Sequence, residues 1–292
     1  MSDTAWILLT GSLVAASCGF LGCFLILRRL AMLGDAISHA VLPGIVLAFL
    51  IAHSMDGVVM LIGAALLGLL TTFFVQTLNQ GGVQSDAAIG VTFTALFAIG
   101  VVLVSVFAQD VHLDLEHVLY GEIAYVPWNT LTVGGMDLGP RAVWMAGGTF
   151  LLSLMVVGLF YKEFKICSFD PAMASAIGIP VVLIHYVMMV LVSMTTVASF
   201  ESVGAILVVA MLVAPGATAY LLTDRLGLML GFSVVIGVLC AFLGYYLAVL
   251  LDASIAGSMS TVAGVLFTLA FVLSPTHGLM SRWLARRQLG GS

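Results

Sequence analysis

Residues 33–47 read LGDAISHAVLPGIVL, with an acid and an imidazole at the head of an apolar run. Asp35 and His39 stand at i and i+4, one turn apart on a shared helix face. A carboxylate paired with an imidazole suits a first-row divalent cation such as Mn(II), Fe(II) or Zn(II). A purely carboxylate and carbonyl set would suit Mg(II) or Ca(II) better. An aspartate at the centre of a membrane span costs about 3 kcal/mol. Ionisable groups there face a bundle interior or a wet path and mark ion routes. The competing reading makes Asp35 the N-cap of the second helix, with Ser38 as its local partner and His39 as a core histidine. Pro43 and Gly44 weigh against it. HAVLPG predicts a kinked or broken helix, and irregular backbone at membrane depth is tolerated only within protein or beside a cavity. Two ligands per chain do not fill a coordination shell, so a homodimer with the path on its two-fold axis would supply two Asp and two His.

Weaker metal candidates follow. His185 opens a later span, and Glu201 lies in ASFESVG, where a carboxylate could gate a cation or cap a helix. His112, Asp114 and His117 fall in a polar loop that reads as solvated surface. Met188, Met189 and Met194 read as adaptable core filler rather than a Cu(I) site. Cys18, Cys23, Cys167 and Cys240 lie in or beside apolar segments without CxxC spacing, which points to buried or reduced thiols.

The elements that must hold these groups are membrane spans. Of 292 residues 62% are hydrophobic and only 8% charged, with mean hydropathy +1.22; a soluble domain carries about 25% charged residues. Apolar runs predict an all-α polytopic protein with nine spans, at 6–27, 33–52, 57–78, 87–108, 142–161, 181–200, 203–222, 227–251 and 258–274. The closely spaced sixth and seventh leave eight as the alternative. One membrane domain over residues 1–292 is expected. With the N-terminus outside, eight of the nine basic residues fall inside and only Arg141 outside, so the C-terminal RWLARRQ is cytoplasmic. Acids gather on the outer face, which concentrates cations. The net charge of −5 argues against nucleic acid. Residues 109–140 form the longest non-spanning stretch; DVHLDLEHVLYGEIAYVPW predicts a short interfacial helix anchored by Tyr120, Tyr125 and Trp128.

KEFKICSFDPAMASAIGIP (162–180) separates the fifth and sixth spans. Asp170 suits an N-cap, Pro171 the first helical position, and Gly178 with Pro180 a stop. The predicted helix has about two turns, is marginal alone, and must dock on its own bundle or on a partner. The chain has only two lysines, Lys162 and Lys165, and neither follows GxxxxG. The polypeptide is therefore not expected to hydrolyse nucleotide. LVAPGATAYLL (212–222) echoes AVLPGIVLAFL (40–50), a hint of an internal repeat.

The stretches LRRLAMLGDAISHAVLPGIVLAF, FDPAMASAIGIP, ESVGAILVVAMLVAPGATAYLLTDRLG and TVAGVLFTLAFVLSPTHGL together resemble the membrane permeases of manganese/zinc/iron ABC importers, from about Gly11 to Leu279. The resemblance implies a homodimer on two cytoplasmic ATP-binding subunits, fed by an extracellular or periplasmic metal-binding protein, in a bacterial cytoplasmic membrane. The fold would be a shortened vitamin B12 or siderophore importer permease. Asp35 and His39 match the family's metal path, and Phe169, Asp170, Pro171 and Gly178 match its ATPase-coupling helix. Glu201, where many zinc members carry Gln, leans toward the manganese and iron branch. No cofactor is held permanently; the metal ion is cargo and ATP is used by the partner. Zn(II) or Fe(II) import is the near alternative. An ion-gradient-driven carrier, with Asp35 and His39 as a proton relay, is the distant one.

Overall fold

A computed structural model of the chain describes residues 2–40, 42–52, 57–107, 123–133, 136–274 and 278. Its helices are α1 (Asp3–Leu27), α2 (Ala31–Ala40), α3 (Leu42–Ala52), α4 (Gly57–Gln80), α5 (Ser85–Phe107), α6 (Arg141–Leu159), α7 (Tyr161–Phe169), α8 (Pro171–Ala176), α9 (Val181–Leu222), α10 (Leu226–Leu251) and α11 (Ile255–Leu273). Among the described residues, seven segments are long and apolar enough to cross a membrane: α1, α5, α6, both halves of α9, α10 and α11. The expected span 33–52 contains α2 and α3, with Val41 between them outside the described residues, and the expected span 57–78 lies within α4.

Within 109–140 a short helix is present, and two strands depart from the expected all-helical chain. Ile123–Trp128 is a 3-10 helix. It is followed by an antiparallel hairpin of β1 (Thr130–Val133) and β2 (Met136–Pro140). The Trp6 ring covers Gly139, so the hairpin sits at the end where α1 begins. Tyr120 and the rest of 108–122, with His112, Asp114 and His117, lie outside the described residues, as do Asp56 and the C-terminal RWLARRQ.

α1 runs through the centre of the bundle and packs on α9 and α10, with α6 alongside. Its first half is apolar and its second half almost wholly buried, including Cys18, Leu21, Cys23, Phe24 and Leu25. Its glycines make that burial possible. Gly22 lies against the main-chain carbonyl of Leu212, Gly19 against Pro215, and Gly216 of α9 returns the contact onto Gly22 and Cys23. With no side chain in between, the two backbones approach closely, the small-residue mode of helix packing in lipid. The two Pro-Gly pairs that echo in sequence share this role, because Gly44 of α3 meets Gly63 of α4 in the same backbone-to-backbone manner. Gly22→Leu is therefore expected to cost about 3 kcal/mol through overpacking. The readout is a lowered thermal midpoint and loss of a monodisperse peak in detergent.

Helix α1 ends at Arg29 in a left-handed conformation, φ 57°. The Leu30 N–H donates to the Leu25 carbonyl at 2.8 Å, and the Arg29 N–H to the Ile26 carbonyl at 3.0 Å. That paired closure favours glycine at the left-handed position, yet an arginine holds it.

The 42-residue α9 is not one rod. Gly204 has φ 78° and ψ 165°, outside the helical region. His185, in the first half, reaches Arg28 at the end of α1. In the second half Leu212 meets Gly22, and the Leu221 carbonyl accepts from the Ser274 hydroxyl at 2.5 Å. Ala198 and Ser202 instead meet Tyr125 and Arg141, toward the opposite end. The chain thus reverses near 201–204, and both ends of α9 return to the basic end of the molecule. The sequence expectation of separate segments at 181–200 and 203–222 corresponds to these halves.

Candidate functional site

Asp35 lies in α2, which starts at Ala31 and is entered through the Leu33 N–H to Leu30 carbonyl bond of 2.9 Å. The acid is one full turn inside the helix, so the N-cap alternative does not hold. Ala36 and Ile37 beside it are fully buried, whereas Asp35 is half-buried. α2 packs against α9 and α5, with α1 and α4 adjoining, which places the acid within the helical bundle. The backbone of α2 carries residue 39 on the same face as residue 35. The side chains of Ser38, His39 and Glu201 lie outside the described ones. α2 is described to Ala40 and α3 from Leu42, with Pro43 in its first turn. The break expected at HAVLPG falls on Val41, which lies outside the described residues. Among the described residues no three His, Cys, Asp or Glu side chains converge as a metal cluster.

Position 201 falls at the α9 reversal. Beside it a small cavity of about 110 Å³ is lined by Tyr125, Asn129, Arg141, Ala198 and Ser202. The 3-10 helix and the start of α6 therefore lie beside the turn at position 201. His185 is placed differently. Its Nδ1 is 3.5 Å from Arg28 Nη1, and Arg28 Nε donates to the Ser168 hydroxyl at 3.2 Å. Burial lowers the pKa of the Arg28 guanidinium from its ordinary value, and arginine stays charged in proteins regardless. A divalent cation at His185 would face that charge.

The loop 162–180 holds two helices, not one. α7 continues almost directly from α6 and was not expected. Its Phe164 is fully buried and tilts onto Phe24, with ring centroids 5.5 Å apart. α8 follows as predicted. The Asp170 carboxylate accepts from the Met173 N–H at 2.9 Å, Pro171 takes the first position, and Gly178 closes the helix at φ 86°. Ala174 is fully buried against the bundle, while Phe169, Met173 and Ile177 are each more than half exposed. Met173 and Ile177 stand four residues apart at α8 and its C-cap and share a side, whereas Phe169 belongs to the end of α7 before the extended Asp170; α8 thus rests on its own protein through Ala174 and exposes apolar side chains elsewhere. Met173 and Ile177 were not among the expected contact residues, although the four-residue spacing was in the sequence. All four cysteines are free and buried, as read.

Such a chain belongs in a bilayer as a multi-pass helical protein, with an acid inside the bundle and no nucleotide-binding loop of its own in the sequence. It is a member of the ABC 3 transport family, whose model matches residues 3–274. Over 284 residues it is 59% identical to the manganese transport system membrane protein MntD of Bacillus subtilis (strain 168), covering 97% of this chain and 96% of that one. It is 42% identical to the zinc transport system membrane protein TroD of Treponema pallidum (strain Nichols), over 98% of this chain and 78% of the relative. Its fold is similar to that of PsaBC from Streptococcus pneumoniae in complex with Fab, with a TM-score of 0.80, 32% identity, and coverage of 98% and 96%.

Proposed function

We propose that this chain is the permease subunit of an ATP-driven manganese importer. The observation that carries the reading is the 59% identity to a manganese transport membrane protein over almost the whole chain. Nine spans cross the bilayer with the N-terminus outside, counting α2 with α3 as one span and the halves of α9 as two. Two copies form the path, and two cytoplasmic ATP-binding subunits seat on the exposed apolar side chains of α8. ATP binding closes the ATPase pair, α8 transmits the motion, and the path opens outward to a delivery protein in the bacterial periplasm or on the cell surface. The ion meets Asp35 and His39, with Glu201 at the α9 turn as gate, and leaves inward after hydrolysis. Coordination at the pair is weak, since a tight site would not release its cargo. His185 drops out of the ligand set, because the Arg28 guanidinium beside it repels a cation.

Zinc is the second reading, favoured by the TroD relative. A gradient-driven carrier has no use for an exposed apolar docking helix. The test is metal accumulation in cells lacking their own importers, co-expressing this chain with its ATPase and delivery protein. Manganese should rise above the vector control, and a Walker-lysine variant of the ATPase should abolish the rise. Accumulation of zinc alone would move the assignment to zinc, and accumulation unaffected by the ATPase variant would discard the importer reading.

A further inference from the structure

The basic end of the molecule holds a second cavity, of about 430 Å³, between the ends of α1, α4, α7 and α9. Arg28, Arg29, Thr72, Gln76, Asn79, Ser168 and His185 supply its polar lining, and no described lining residue is an Asp or Glu; the nearest carboxylate, Glu163, acts on Cys167 at its rim. Three buried polar atoms there have no protein partner: Arg28 Nη2, Gln76 Oε1 and Asn79 Oδ1. Buried polar groups are ordinarily satisfied, so an orphan guanidinium nitrogen beside two orphan amides marks a missing ligand. Each amide can turn its NH2 inward by a half-rotation. A His185 Nδ1 that accepts from Arg28 leaves the ring proton on Nε2, a further donor. Arg29 adds a second positive charge from a left-handed backbone where glycine would be easier. That position keeps arginine against its conformational preference, which points to a role for the charge.

We propose that this cavity binds a phosphate-bearing anion. A guanidinium pair with no carboxylate in the described lining matches phosphate oxygens, and the volume exceeds what a single carboxylate side chain needs. Leu27, Leu30, Leu33, Val75 and Val181 form an apolar wall beside the donors, as suits the headgroup and first acyl carbons of an acidic phospholipid. Free phosphate is the other source of the same chemistry. The site does not involve the Asp35 and His39 pair, so it stands or falls independently of the transport assignment.

The experiment is thermal unfolding of the full-length purified chain in non-ionic detergent, with added phosphatidylglycerol, phosphatidylcholine or sodium phosphate, and native mass spectrometry of retained lipid. Phosphatidylglycerol is expected to raise the midpoint by about 5 °C, the shift of a ligand present well above its dissociation constant, with phosphatidylcholine giving none. Asn79→Asp keeps both arginines and nearly the same shape, and should abolish the shift; Arg29→Gln, at an exposed site, should weaken it. If sodium phosphate alone reproduces the shift, the anion site stands and its source is soluble. Equal shifts with both lipids, no shift with any anion, or undiminished shifts in both variants would each overturn the proposal.

Discussion

Asp35→Asn should reduce manganese accumulation by about tenfold or more at matched membrane levels, the loss expected when a charged ligand in the path becomes neutral. The substitution keeps shape and removes charge. Because Asp35 is one turn inside α2 rather than at its cap, helix stability is not what it tests. Asp35→Glu, which keeps the charge and lengthens the reach, should retain part of the uptake. His39→Ala should resemble Asp35→Asn. ATPase co-purification should be unchanged in all three. Normal uptake by Asp35→Asn would remove this residue from the path.

Met173→Asp should separate the chain from its ATPase. Met173 is 57% exposed on α8, beside the equally exposed Ile177, where an apolar side chain in water is best explained by a partner. Central apolar anchors typically contribute 2 kcal/mol or more to an interface. An unpaired carboxylate there is expected to weaken association by about thirtyfold. The readout is recovery of the ATP-binding subunit with the tagged permease, beside an unchanged thermal midpoint of the permease alone. Ala174 faces inward, so Ala174→Asp should instead lower that midpoint. Full recovery of the ATPase with Met173→Asp would place its docking surface elsewhere.

The sequence made some of this legible because lipid is a demanding solvent. Span positions follow from apolar length alone, and the stop at Gly178 and cap at Asp170 follow from local hydrogen-bond needs. Other features depend on contacts that no local pattern carries. α7 has no apolar periodicity of its own, and its place comes from Phe164 reaching Phe24, which is remote in sequence. The β1–β2 hairpin had a signal, the Gly134-Gly135 pair after TLTV, but it is masked by an amphipathic stretch upstream. His185 reads as a ligand candidate by residue type, while its neighbour Arg28, remote in sequence, is brought to it only by the fold. The Asp35 pair was visible by residue type. That the acid is interior to the helix, rather than its cap, depended on where α2 begins.

The reversal at Gly204 bears on how the chain is made. Lys165 and Arg225 are the nearest basic residues on either side, with none across the 59 residues between them. The two halves of α9 therefore share a single pair of retention signals, both on one face of the membrane. Neither half has a lysine or arginine of its own to orient it during synthesis. They should enter the translocon as one hairpin, delivered together once Arg225 has left the ribosome. A nascent chain arrested between 204 and 224 would carry an unanchored first half, and the topology of everything after it would depend on the second half arriving.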